Sequence, residues 1–209
     1  MKAMGRFTVG LVALLAFASC AFASVYSNNN GPFYDVQLVR TDGTPIITAD
    51  TDAVFLATEP TANTWQAKTV LAQADYPRNA TITVVDANTS LPSITAEVIG
   101  TDVHDRVNNE SIVSSVGGSQ TITGLAAFKS ITSYRTYVTG VVTGGADTIQ
   151  GGYGNTLALP FDIRLVGDIK SRRQDANVNV GTISPAFMTW VLAGANAPDG
   201  VRRFYFSGR

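Results

Sequence analysis

Two segments, Ala80-Thr81-Ile82-Thr83-Val84-Val85 and Ile94-Thr95-Ala96-Glu97-Val98-Ile99, decide the fold of this chain. Both are rich in β-branched residues, which suit a pleated surface. In the second, Ile94, Ala96 and Val98 fall on one face and Thr95 and Glu97 on the other. A period of two is what a half-buried strand requires. The same reading extends outward to residues 34–40, 107–113, 120–123, 130–142, 163–166, 178–183, 188–192 and 203–206. Trp65, Ala67, Thr69 and Leu71 line up as one face of a further strand, whereas residues 51–63 are less regular.

Turn signals separate these segments. Thr41-Asp42-Gly43-Thr44 predicts a tight hairpin with residues 45–48 as its return, because Asp-Gly supplies the positive φ such a turn needs. Pro77 cannot donate to a ladder and marks a break before Ala80. Residues 86–92 read as a loop, Gly140 as a bend in 130–142, and residues 167–177, with Lys170, Arg172, Arg173 and Asp175, as an exposed, solvated loop. No amphipathic helix is legible after residue 24. Turns spaced roughly ten residues apart favour an antiparallel β-sandwich, Ig-like or jelly-roll-like, over alternating β and α units. The expected organisation is a signal-like or retained apolar arm at 1–23, a flexible leader at 24–33 and one all-β domain at 34–209.

The first segment has the three parts of an export signal. Lys2 and Arg6 give a positive start, residues 7–22 are apolar, and Ala21-Phe22-Ala23 places small residues where a signal peptidase reads. Cleavage would remove both bases and no acid, so the remainder would be more negative than the full chain's net charge of −1. It would also remove Cys20, the one cysteine, leaving a core held by burial without a disulfide. Phe17-Ala18-Ser19-Cys20 resembles a bacterial lipobox, with Phe17 where an aliphatic residue is usual. The apolar run is short and alanine-rich for a membrane span, so none is expected in the mature form.

Among 209 residues only 15% are charged, and no basic excess exists to grip phosphates. Nucleic-acid binding is therefore disfavoured. His104, the one histidine, lies in Asp102-Val103-His104-Asp105. Its flanking carboxylates invite a metal or acid–base reading, but a metal site needs several ligands from different elements, and a loop between strands is the simpler reading. Asp102 and Asp105 with backbone carbonyls leave a calcium site open. Asp86, Glu97, Asp102 and Glu110 are the candidates for a glycosidase-type carboxylate pair, all in ordinary strand or turn positions. The run from Gly144 to Asn155 resembles a calcium-binding nonapeptide repeat. Its first copy is short, and Thr156 stands where the second needs Asp, so it reads as a wide hairpin turn. Asn-x-Ser/Thr triplets begin at Asn79, Asn88 and Asn109 and matter only in a eukaryotic secretory pathway. No nucleophile elbow or Walker loop occurs. Trp190 and Phe204-Tyr205-Phe206 read as core. No catalytic, cofactor-binding or metal-binding residues are assigned, and no enzyme activity is expected.

Several of these segments resemble a pattern in tailed-phage virion proteins. Pro77-Arg78-Asn79-Ala80-Thr81-Ile82-Thr83-Val84-Val85-Asp86 is similar to their Arg-Asn-x-Thr-x-Thr-Val strand, and Ile94-Thr95-Ala96-Glu97-Val98-Ile99-Gly100-Thr101-Asp102 to their Thr-Val-x-Gly-Thr-Asp strand. Ala127-Phe128-Lys129-Ser130-Ile131-Thr132-Ser133 and Gly154-Asn155-Thr156-Leu157-Ala158-Leu159-Pro160 continue the likeness, as does the tail from Ala197 to Phe206. The resemblance implies a β-sandwich structural protein of a virion, of capsid-decoration or head-fibre type, with no catalytic residues. Its partners would be copies of itself or a major capsid protein, docked through edge strands and the arm at 24–34. The signal-like leader departs from that pattern and supports the alternative: a secreted or surface-anchored module that binds glycans or a protein.

Overall fold

The structure, a computed structural model, describes residues 24–28, 31–40, 43, 45–87, 91, 93–114, 117–140, 142, 147–160, 169–174, 177–178, 181–192, 194–201 and 204–208. The signal-like segment 1–23, the expected strand 163–166, and Asn88 and Asp175 lie outside them.

The described chain is all-β, with antiparallel sheets that form a β-sandwich. In order, its strands are β1 (Ser24–Asn28), β2 (Gly31–Leu38), β3 (Asp50–Thr58), β4 (Gln66–Lys68) and β5 (Arg78–Val85). There follow β6 (Ser93–Thr101), β7 (Val107–Ser114), β8 (Gln120–Phe128), β9 (Ser130–Thr139) and β10 (Thr148–Ala158). The last are β11 (Ile169–Gln174), β12 (Asn177–Val178), β13 (Thr182–Ser184), β14 (Thr189–Val191) and β15 (Phe204–Gly208). Among the described residues the helical content is one 3₁₀ turn, Gly194–Asn196, and no helix is long and apolar enough to cross a membrane.

One layer of the sandwich is the sheet β4-β9-β6-β7. The other has the order β13-β14-β10-β5-β8, with β3 also on β10. Alternation sends Ile94, Ala96 and Val98 of β6 and Tyr134, Thr136 and Val138 of β9 inward. All of these but Thr136 meet Ile82 and Val84 of β5, Phe55 of β3 and Ile149 of β10 in one buried cluster. Phe55 and Tyr134 pack edge to face at 5.0 Å, and the Tyr134 hydroxyl donates to the Thr81 carbonyl at 3.0 Å, joining the layers. A third sheet, β1-β2-β15-β11-β12, brings the first and last described strands together. Its Leu38 and Phe204 share a second core with Tyr76, Leu157, Leu159 and Trp190. Trp190 and Phe204 are buried, as the sequence reading expected, and they pack edge to face.

Several elements differ from the sequence reading. The glycine-rich run was expected to be a wide turn, but its second half lies in β10, the eleven-residue strand beside β5. Its glycines allow close approach: a Cβ at Gly151 would run into the Phe55 ring, and one at Gly152 into the Asp50 carbonyl. β3 runs through the stretch read as irregular, because only Val54 and Phe55 of it are fully buried and the period of two is lost. The strand expected from Trp65 to Leu71 is confined to β4. Residues 45–49 form no return strand; β2 pairs with β1 and β15 instead. Residues read as leader form the β1–β2 hairpin, and the charged run read as a loop contains β11.

Two register shifts meet at Asn79. β5 slips against β8 between Asn79 and Thr81, and against β10 between Tyr153 and Leu157. Both leave backbone groups without ladder partners. The buried Asn79 amide fills both gaps, donating from Nδ2 to the Gly124 carbonyl at 2.9 Å and accepting the Thr156 N–H on Oδ1 at 2.9 Å.

Candidate functional site

The loop around His104 is a hydrogen-bonded turn. The Asp102 Oδ1 accepts the backbone N–H of His104 at 2.8 Å and of Arg106 at 3.0 Å, while Oδ2 pairs with the Arg106 Nε at 2.8 Å. Burial works against the Asp102 carboxylate, but the Arg106 backbone and guanidinium, with the His104 N–H, outweigh it and hold its pKa below the usual carboxylate range. Asp105, in the left-handed region at φ 62°, pairs with Lys129 at 2.7 Å. The two carboxylates thus serve different partners. Among the described residues no three His, Cys, Asp or Glu side chains gather as metal ligands would.

The other candidate carboxylates also take separate places. Asp86 accepts the N–H groups of Leu91 at 3.2 Å and Gly118 at 3.0 Å. Glu97 lies on the outer face of β6 against Arg135. Glu110 turns inward from β7, accepting the N–H of Leu125 at 2.6 Å and of Ala126 at 3.3 Å. Beside it, Asn108 donates to the Ala127 carbonyl at 3.1 Å. Side chains of β7 therefore stitch one layer to the margin of the other where β8 is irregular. Of the glycosylation triplets, Asn79 is buried and Asn109 exposed.

What the sequence left unread is a set of surfaces. Trp65, 40% exposed, stands beside β4 with the Arg135 guanidinium 4.6 Å from its ring centre and Tyr137 at 5.3 Å. Arg135 faces Glu97 across the β6–β9 pair, and Tyr137 faces Thr95. The available signal was the alternation within 130–142, which puts Arg135 and Tyr137 on one face. A hollow of about 120 Å³ opens between the 102–106 loop, β8 and the turn after β13, with Ala126, Ala127, Ala158 and Ala186 in its lining. Four alanines from three separate segments leave no local pattern to read. A shallower groove of about 620 Å³ runs past Glu59, Thr61, Asn63 and Gly140. In the terminal sheet, β1 pairs with β2 on one side, and its other side carries no strand among the described residues. No family model matches this chain, and searches of curated proteins and of solved structures also return no match.

Proposed function

We propose that the chain is a non-enzymatic virion structural protein that stabilises a particle surface by β-mediated self-association or by docking on a shell protein. The observation that carries this reading is the placement of β1, among the described residues, at the margin of the terminal sheet, with one edge of backbone donors and acceptors turned away from β2. Such an edge is a template for strand addition. The phage-like motif residues support it by their roles: Arg78 and Asn79 hold internal joints, and a side chain at Gly100 would strike the Ser130 carbonyl. Residues shared for architecture rather than chemistry fit a protein whose product is a shape. Bound copies would stabilise the assembly by mass action.

The test is mass spectrometry of virus particles from the native source, followed by electron microscopy of the same fraction. The chain should be recovered from particles with Met1–Ala23 intact and appear as ordered surface density. Its absence from particles, with a new terminus at Ser24 in the secreted fraction, overturns the reading. That outcome would favour the second reading, a secreted module binding a glycan or a protein, for which the exposed Trp65 beside Tyr137 and the Arg135–Glu97 pair is the specific support.

A further inference from the structure

The loop between β3 and β4 is fastened to the end of β9 by both backbone and side chain. The Asn63 N–H donates to the Val138 carbonyl at 2.7 Å. Its side-chain amide brackets Gly140, donating from Nδ2 to the carbonyl at 3.0 Å and accepting the N–H on Oδ1 at 3.3 Å. Asn63 and Gly140 both take left-handed backbone, at φ 55° and 96°. Within the loop, the Gln66 amide accepts the Thr61 N–H at 3.1 Å and donates to the Thr61 hydroxyl at 2.8 Å. A loop held in this way is ordered before any ligand arrives, which lowers the cost of binding to it.

The loop serves two surfaces. One is the groove of about 620 Å³ past Glu59, Thr61, Asn63 and Gly140. The other is the Trp65 ring, which stays 40% exposed although Arg135 and Tyr137 lie against it. Trp65 is two residues from Asn63, no more than about 7 Å along the chain. The open side of an antiparallel sheet is ordinarily polar, so an indole beside a phenol there offers an apolar ledge. Its polar surroundings are mixed: Arg135 only donates, Glu97 and Glu59 only accept, and the Thr61 hydroxyl does either. Among the described residues the Glu59 carboxylate has no polar partner.

A pyranose ring has the matching chemistry, with a face of C–H groups and a rim of hydroxyls that both donate and accept. An anion is disfavoured, because Arg135 is held by Glu97 and the uncommitted charge is the negative Glu59. A protein partner of standard size needs about 800 Å² of surface on each side. A groove of this volume instead lies within the roughly 300–1,000 Å³ of small-ligand sites. We propose that the Trp65–Tyr137 ledge and the groove beside it bind a neutral oligosaccharide, one ring stacked on the indole and the next hydrogen-bonded to Glu59 and Thr61. The proposal rests on the glycan form of the second reading above, and gives that form a ligand class and a place.

Titration calorimetry of the full chain with cellohexaose, mannohexaose and chitohexaose tests it, with a sulfated heparin hexasaccharide as the anionic contrast. At least one neutral sugar should bind, and the heparin fragment should not. Binding should also shift tryptophan emission, which reports on Trp65 because the other tryptophan, Trp190, is buried. Trp65→Ala and Glu59→Ala should each weaken binding at least about tenfold, as loss of a central anchor does. Both positions are exposed, so the unfolding midpoint should stay at the wild-type value. Neutral-sugar binding that is unchanged in both variants overturns the site and leaves the glycan reading standing. No binding of any neutral sugar, or a preference for the heparin fragment, overturns the site and that reading together.

Discussion

Replacing Asn79 with alanine tests the joint on which the six-stranded sheet depends. The substitution removes the 2.9 Å bond to the Gly124 carbonyl and the 2.9 Å bond from the Thr156 N–H. Both backbone groups would stay behind in the interior. An unsatisfied buried group costs about 1–3 kcal/mol, and a small residual void adds about 1 kcal/mol. The expected loss is therefore about 3–7 kcal/mol, a large share of the roughly 5–15 kcal/mol that holds a domain together. Guanidinium unfolding, followed by far-UV circular dichroism and by tryptophan fluorescence, measures it, with an unchanged slope showing that the unfolded state is comparable. Asn79→Asp sharpens the test. It keeps the acceptor for Thr156 but sets a carboxylate oxygen against the Gly124 carbonyl. Protonation restores a donor, so the native state favours the neutral acid and raises the pKa of the new group. Its stability should then be greatest below the ordinary carboxylate value and fall as pH rises through the raised one. An alanine variant within about 1 kcal/mol of wild type, or an aspartate variant equally weak in acid and at neutrality, would refute the reasoning.

Gly151→Ala should destabilise by about 1–3 kcal/mol through overpacking against Phe55, read as a lowered melting temperature. Burial raises the Glu110 pKa despite its bonds to Leu125 and Ala126, so wild-type stability should fall as pH rises from the ordinary glutamate value through the raised one. Glu110→Gln should flatten that part of a melting-temperature profile; a profile identical to wild type would contradict the assignment. Arg78 is buried against Asp75 at 3.0 Å and donates to the Ile47 carbonyl at 3.0 Å, so Asp75→Ala strands a desolvated guanidinium and should cost about 3–5 kcal/mol. A double-mutant cycle with Arg78→Met should return a coupling of about 1–3 kcal/mol, and additive losses would show the pair to be independent.

Strands with one buried face were legible. β6 follows the alternation of its apolar residues, and β5 covers the expected residues 80–85 but begins two residues earlier, at Arg78, in the stretch read as a break after Pro77. Strands whose burial comes from another backbone were not. β10 reads as a turn because its glycines serve Phe55 and β3, partners nearly a hundred residues away in sequence. The Asn79 joint was hidden for a similar reason, since a buried polar residue shows its purpose only once Gly124 and Thr156 are beside it. The His104 segment was correctly read as a loop from its polar and charged residues between two strands, and Asp102 closes the turn by accepting the His104 N–H. The aromatic patch at Trp65 and the alanine hollow depend on which distant segments converge, and local periodicity carries no record of that.

The pairing of β2 with β15 sets how the molecule answers to tension. Tyr34 faces Gly208 and Leu38 faces Phe204, so the start of β2, where it leaves the β1 hairpin, lies beside the end of β15. A load pulling those ends apart acts along the inter-strand bonds, which lie across the strands, and opens them one after another, as a zipper opens, instead of shearing them together. The terminal sheet would yield first and at low force, leaving the joint at Asn79 for later. A load applied between Tyr34 and Gly208 would then be taken up by a compliant element that lengthens before the two packed layers are strained.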